Sequence, residues 1–409
     1  MTQTEQQHKL NVVVIGAHAP GGRADAGWIQ AILPFAHPLG LWGNSTVSLR
    51  ERHLWRIQEA DTKDFQGYTI STLRVPLLPR QDYWLHNFLA LRVFKDIVAR
   101  WRKPDIIHSH FYPNGLLGVG LARHFGVPLI HTEHSATLLH PAPRNGSSWM
   151  GRQVARFVMK NASAVLCVSE HLRKQLKSLG FHGNLSVVPN PVDTSIFRPP
   201  AMRPARNGTV RLICACKLIP RKRVPLLLEA VSILRDRLPL HLDIIGDGPE
   251  RQKCQQITRQ RGIEHLVTFH GFKDRLALAS MYNKSDIFVF ASDAETFGVA
   301  YAEALCSGLP VVTTDSGPVA EIVPPGSGKI VPRADPRALA RAIQDVALNW
   351  DSYQAAVLSE QPWHRFAYES VGEVIRSYYE NIVGDGRRPG SPQISLPSEH
   401  RHLPIGGTR

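Results

Sequence analysis

The sequence has no apolar run approaching the eighteen or so residues that cross a bilayer. Its beginning, MTQTEQQHKLNVVVIG, lacks the charged-then-apolar layout of a secretory leader. A cytoplasmic protein is therefore the default expectation. Cysteine is scarce. The 5 residues are an odd number without a C-x2-C pair, so no disulfide framework or common zinc spacing is present. Cys214 and Cys216 lie in one apolar strand pattern and Cys167 in another, where each is expected to be a small buried hydrophobe. No Asp-x-Asp pair occurs anywhere in the chain. The first glycine-rich turn, Gly16-Ala17-His18-Ala19-Pro20-Gly21-Gly22, fails the G-x-G-x-x-G spacing of a dinucleotide site, which argues against an NAD-dependent dehydrogenase. Carboxylates are in deficit: 34 Asp and Glu face 48 Lys and Arg, a net charge of +14. No nucleic-acid module accompanies the excess. Anionic substrates, peripheral contact with an anionic membrane and a plain solvated surface all account for it.

What the chain does have is length for two ordinary domains, 409 residues, and a globular hydrophobic fraction of 43%. Strand and helix patterns alternate through both halves, the mark of parallel sheets. In the first half, strands are expected at Leu10–Ile15, Thr46–Leu49, Asp105–His110, Pro128–His134, Ala164–Ser169 and Leu185–Val188. Helices are expected at 82–100 (Leu85, Phe88, Leu89, Val93 and Ile97 inward), 114–124, 145–162 and 170–179. The 145–162 helix has Trp149, Met150, Val154, Phe157 and Val158 as its apolar side and Arg152, Arg156 and Lys160 as its basic one. Such a face can lie on an anionic membrane, but an ordinary domain helix with its polar side in water is the favoured reading. Pro191, Pro199, Pro200 and Pro204 mark a linker.

Strands resume at 211–215, 240–245, 267–269, 287–290 and 310–313, with helices between them. The expected domains are 1–195 and 196–362. A final helix over 363–383 crosses back to the first domain, and a polar tail over 384–409 is expected to be disordered.

The most informative stretch is Ala291 to Pro310, ASDAETFGVAYAEALCSGLP. It follows the apolar run Ile287–Phe290, a buried parallel strand by pattern. A helix over Val299–Cys306 is stopped by Gly308 and Pro310. Glu295 stands at the mouth of that helix, and Glu303 is expected two turns into it. A helix N-terminus suits a phosphate, and carboxylates beside it accept hydrogen bonds from sugar hydroxyls. Lys217 and Lys222 follow the 211–215 strand and supply positive charge. His108, His110, His131 and His134 fall at strand ends, where open α/β sheets bind ligands. No acidic or Cys ligand set at metal spacing accompanies them.

This stretch resembles the E-x7-E signature of retaining family 4 glycosyltransferases with the GT-B fold. Ile244-Ile245-Gly246-Asp247-Gly248-Pro249, Lys217-Leu218 with Lys222, and Val188-Pro189-Asn190-Pro191-Val192-Asp193 resemble further motifs of that family. The resemblance implies two Rossmann-like doubly wound domains facing a deep cleft. It implies transfer of a hexose-type sugar from a nucleotide sugar, a UDP-sugar before a GDP-sugar, to an acceptor hydroxyl in glycan, glycolipid or small-metabolite synthesis.

By the same resemblance, His134, Glu295 and Lys222 are the catalytic group. The donor lies against Gly21, Gly22, Lys217, Lys222, Gly246, Gly248, Glu295, Thr296, Phe297, Gly298 and Glu303. Glu303 holds the ribose hydroxyls; Glu295 and the backbone of 296–298 read the sugar. Read alone, Gly21–Gly22 is equally a glycine turn after a strand. The family usually has Arg at position 217, where Lys is a single point charge rather than a fork. The other major glycosyltransferase fold holds a divalent cation with Asp-x-Asp, so its absence implies that no metal cofactor is needed. A nucleotide-sugar epimerase of the same fold and a non-catalytic basic carbohydrate- or membrane-binding protein are the competing readings.

Overall fold

The computed structural model describes residues 9–16, 26–47, 55–59, 64–73, 81–135, 138, 149–181, 183, 185–201 and 208–384. The chain divides into two compact units. The first takes the chain up to Val168, Leu172–Pro191 and the segment from Tyr368 onward. The second takes Ser169–His171 and Val192–Ala367.

The first unit is built from β1 (Leu10–Ile15), α1 (Ala26–Ile32), β2 (Ala36–Val47), β3 (Trp55–Glu59), β4 (Gln66–Leu73), α2 (Gln81–Trp101), β5 (Ile106–His110), α3 (Tyr112–Phe125), β6 (Leu129–Glu133), α4 (Trp149–Asn161), β7 (Ala164–Cys167), α5 (Glu170–Ser178) and β8 (Leu185–Val187). The strands form one sheet in the order β3-β4-β2-β1-β5-β6-β7-β8. All neighbours are parallel except β3 and β4. Val12, Val13, Val14, Ile106, Ile107, Leu129 and Ile130 are fully or almost fully buried. Strands covered on both faces read as continuous β-branched runs, which is why these were legible in sequence. The order reverses between β1 and β5, on either side of which the chain winds in opposite directions.

Several expectations need correction. The strand placed at Thr46–Leu49 is the end of the longer β2, Ala36–Val47; Leu49 lies outside the described residues. On α2 the buried stripe is Ala90, Phe94 and Val98, with Leu89 beside it, while Phe88 is 66% exposed. Two apolar stripes at i, i+4 spacing compete on that helix, and small Ala90 marks the side that approaches the sheet. On α4 only Val154 and Val158 of the expected apolar side are buried, with Ala155 and Met159.

The second unit contains β9 (Val210–Ala215), α6 (Val224–Leu234), β10 (Leu240–Ile245), α7 (Arg251–Gln260), β11 (Val267–Gly271), α8 (Arg275–Asn283), β12 (Ile287–Phe290), α9 (Val299–Cys306), β13 (Val311–Thr314), α10 (Val319–Ile322), β14 (Gly328–Val331), α11 (Pro336–Leu348) and α12 (Ala355–Phe366). Its sheet is parallel, ordered β11-β10-β9-β12-β13-β14, and reverses between β9 and β12. The edge strand β14 went unread because Gly-Lys-Ile-Val is half polar and only partly buried.

The last helix expected from 363 onward is two helices. The chain breaks at Ala367, and α13 (Tyr368–Gly384) belongs to the first unit. There it crosses α1 closely: a Cβ on Gly372 would lie 2.3 Å from the Ala31 carbonyl oxygen. The polar tail expected beyond 384 lies outside the described residues.

Candidate functional site

In open α/β sheets the strand ends at a reversal of order leave a crevice, because the helices on either side run to opposite faces. In the second unit the segments leaving β9 and β12 stand there. β12 is buried throughout. The chain then runs irregularly to Gly298, tied down on several sides. Asp293 N–H donates to the Arg221 carbonyl at 3.0 Å, and Glu295 N–H to the Ser316 carbonyl at 2.9 Å. Phe297 is 1% exposed, its ring edge-on to Phe366 at 5.5 Å. It anchors the loop from below, so only its backbone can meet a ligand. Gly298 has φ 89°, and a Cβ there would lie 2.4 Å from the Tyr301 ring. Only glycine turns the chain into α9 at this point.

Glu295 is 7% exposed and receives a hydrogen bond from Lys222 Nζ at 2.5 Å. The Arg221 guanidinium lies 3.6 Å from its other oxygen and also donates to the Ala294 carbonyl. The Lys222 ammonium rests 5.1 Å from the centre of the Phe290 ring. Both cations come from a 3-10 turn, Pro220–Lys222, closed by Arg223 in the left-handed region at φ 49°. Lys217 is exposed, two residues beyond the end of β9. The turn after β10 presses on the same segment: a Cβ at Gly248 would sit 2.3 Å from the Leu218 carbonyl oxygen. Gly246 N–H donates to Gly271 at 2.7 Å. Glu303 is 6% exposed. It is the fifth residue of α9, hence just over one turn in rather than two. Burial, and then the nearby Glu303 charge, push the Cys306 thiol up.

The first unit gathers three of the four histidines, His108, His110 and His134, around Trp28, while His131 pairs with Ser109 Oγ at 2.9 Å. His110 Nδ1 and His134 Nε2 are 2.9 Å apart and share one hydrogen. Trp28 stands edge-on to His108, His110 and His134, with ring centres 5.9, 5.2 and 5.8 Å away. Its indole N–H donates to Asn190 Oδ1 at 2.9 Å. His108 bonds Tyr379 Oη and Thr132 Oγ1, each at 2.7 Å. Burial first, and His131 second, lower its pKa to about 3, so the imidazole is neutral. Phe111, next to His110, holds φ 61°, rare for a side chain of its size, and packs its ring 4.8 Å from His134. Among the described residues no group of three His, Cys, Asp or Glu is placed to hold a metal ion.

Some participants were missed. Glu133 is fully buried at the end of β6. One of its oxygens accepts from the N–H groups of His134 and Ser135, at 2.9 and 2.7 Å. The other accepts from Tyr112 N–H at 3.1 Å and lies 3.3 Å from His131 Nε2. It therefore fixes the backbone that carries His134. A carboxylate at the end of a buried strand was the available signal, since such a group is rarely buried unpaired. Arg221 was given no role from the sequence. Tyr301 was not singled out in the sequence. Its hydroxyl meets Thr313 Oγ1 at 3.1 Å and Ser316 Oγ at 3.0 Å, beneath the residue whose carbonyl holds Glu295. Burial, and then the Glu295 charge, raise its phenol pKa. Gly21 and Gly22 lie outside the described residues.

Taken together, the second unit offers cations, helix-end N–H groups and two buried carboxylates to a phosphorylated, hydroxylated ligand. Residues 203–358 match the family described as glycosyl transferases group 1, and residues 46–196 match glycosyltransferase family 4. The D-inositol 3-phosphate glycosyltransferase of Arthrobacter sp. (strain FB24) is 28% identical over 342 residues, 74% of this chain and 79% of its own. The fold is shared with sucrose-phosphate synthase from Thermosynechococcus elongatus, at TM-score 0.75 and 19% identity over 92% of this chain and 100% of that one. It is also shared with HepE of Anabaena in complex with UDP and glucose, at TM-score 0.70 and 17% identity over 90% and 98% of the two chains. With both units carrying the Rossmann-like parallel sheets of the GT-B fold, and the two family models spanning most of its length, the chain belongs to the family 4, group 1 glycosyltransferases.

Proposed function

We propose that this glycosyltransferase moves a hexose-type sugar from a UDP-sugar to an acceptor hydroxyl, with retention of anomeric configuration and without a metal cofactor. The observation that carries the reading is the part-buried Lys222–Glu295 pair at 2.5 Å, set at the strand-order reversal of the second unit with Arg221 beside it. The ligands of the HepE complex, UDP and glucose, are of the chemical class this set of groups suits.

Lys217, Lys222 and the N–H end of α9 meet the diphosphate. Glu303 accepts from the ribose hydroxyls. Glu295 and the backbone of Thr296, Phe297 and Gly298 read the sugar. Gly246 and Gly248 keep the floor free of side chains. The leaving group gains negative charge as the glycosidic bond breaks, so prearranged cations lower the barrier most. His134, held by His110 and by Glu133 under its backbone, is the histidine this reading assigns to the sugar or the incoming hydroxyl.

The test is calorimetric titration with UDP and GDP without added metal, on the wild type, Glu303→Ala and Lys222→Ala. UDP binding that both substitutions weaken supports the donor site. A folded protein that binds neither nucleotide overturns it. Donor consumption without acceptor that yields a new hexose epimer would favour the epimerase reading, and loss of transfer in EDTA would refute metal independence.

A further inference from the structure

Helix α4 exposes what its sequence pattern suggests it should bury. Trp149 is 76% exposed, Phe157 41% and Met150 38%. Its sheet-facing side is formed instead by Val154, Ala155, Val158 and Met159. At 3.6 residues per turn, Arg156, Trp149, Lys160, Phe157 and Met150 fall within about 120° of one another on the outward side. Arg156 and Lys160 are exposed with the three apolar side chains. The surroundings share this character. α4 and α3 contain no carboxylate, and α5 has only Glu170, while exposed Lys174 and Lys177 project from α5. Cations also brace the apolar residues. The Arg123 guanidinium lies 5.4 Å from the Phe157 ring, and that of Arg156 lies 5.6 Å from the Phe181 ring.

We infer that this face of the first unit docks on an anionic bilayer. Trp149, Met150 and Phe157 enter the boundary between headgroups and acyl chains, and Arg156, Lys160, Lys174 and Lys177 meet lipid phosphates. The mixture decides the partner. Nucleic acid or another soluble polyanion would use the cations and leave protruding Trp and Met in water. A neutral surface would use the apolar residues and leave the cations without counter-charges. A helix lying in an interface uses both at once. No helix among the described residues is long and apolar enough to cross a membrane, so the contact is along the surface.

Co-flotation with extruded vesicles tests the inference. The full chain should float with phosphatidylcholine vesicles containing about a third phosphatidylglycerol, and not with phosphatidylcholine alone. Arg156→Glu with Lys160→Glu should weaken binding by at least about 30-fold, because each cation near the surface contributes about fivefold. Trp149→Ser with Phe157→Ser should weaken it by about tenfold, through lost apolar insertion. All four positions are exposed or nearly so, and the same variants should keep the wild-type melt and UDP titration. Absence of flotation on anionic vesicles overturns the inference. So does equal binding to neutral vesicles. Loss in the charge variant with full retention in the aromatic one also overturns it, and points to a soluble polyanion. Failure of UDP to bind the wild type would sink the donor reading and leave this result standing.

Discussion

Replacing Glu295 by Gln should raise nucleotide affinity and lower sugar transfer, two effects of opposite sign from one oxygen-to-nitrogen change. The carboxylate and Lys222 are 2.5 Å apart with side chains 7% and 15% exposed, so water screens the pair little. A charge-assisted hydrogen bond of this kind contributes about 1.5–3 kcal/mol net. A diphosphate that recruits the Lys222 ammonium must compete with Glu295 for it. Recovering about half of that interaction corresponds to UDP binding roughly 4- to 12-fold tighter in Glu295→Gln. Lys222→Met removes the phosphate contact itself and should weaken UDP by about 10- to 100-fold. It also strands a buried carboxylate against Arg221 alone at 3.6 Å, at a stability cost of about 3 kcal/mol. Isothermal titration on both variants, with urea unfolding alongside, reads all of these quantities. If Glu295→Gln weakens UDP by the same factor as Lys222→Met, Glu295 merely positions the lysine, and the competition argument is refuted.

Three further outcomes follow from the geometry. Tyr301→Phe should cost about 1–2 kcal/mol in urea unfolding, since Thr313 and Ser316 lose a buried partner; an unchanged midpoint would remove Tyr301 from the support of the loop. Gly248→Ala places a methyl 2.3 Å from the Leu218 carbonyl oxygen, so it should lower stability by about 1–3 kcal/mol and weaken UDP, with retained affinity counting against the described turn. His108 has its pKa lowered from 6.5 to about 3, so between those values the unfolded chain binds a proton that the native chain does not. Its contribution is complete above pH 6.5 and falls by about 1.4 kcal/mol per pH unit as the medium is acidified. His108→Gln should flatten the pH dependence of unfolding by that slope between about pH 6 and 4, and an unaltered slope would mean the imidazole titrates normally.

The legible parts of the chain were those where one local rule decides. β10, β12 and α9 occur at the residues their patterns indicate, because each is a buried apolar run or a helix-forming run closed by glycine and proline. The Glu295–Gly298 loop could be singled out because carboxylates and a glycine between strand and helix have few structural uses. Wrong faces arose where two readings were locally equal. α2 and α4 each carry more apolar residues than one side can bury, and periodicity alone does not choose between stripes. The break at Ala367 was missed because Trp363 to Ile382 keeps helical apolar spacing through it.

By itself the sequence determined the class of sheet, the order of elements around the loop at 291–298, and the chemical types available there. These follow from side-chain period and turn chemistry, which act over a few residues. Only the tertiary structure decided that Lys222 spends its charge on Glu295, 73 positions along the chain, that Tyr301 supports the loop, and that His110 and Glu133 hold His134. Those pairings depend on which strands become neighbours. The reversal between β9 and β12, and that between β1 and β5, bring distant strand ends together, and no local pattern encodes that adjacency.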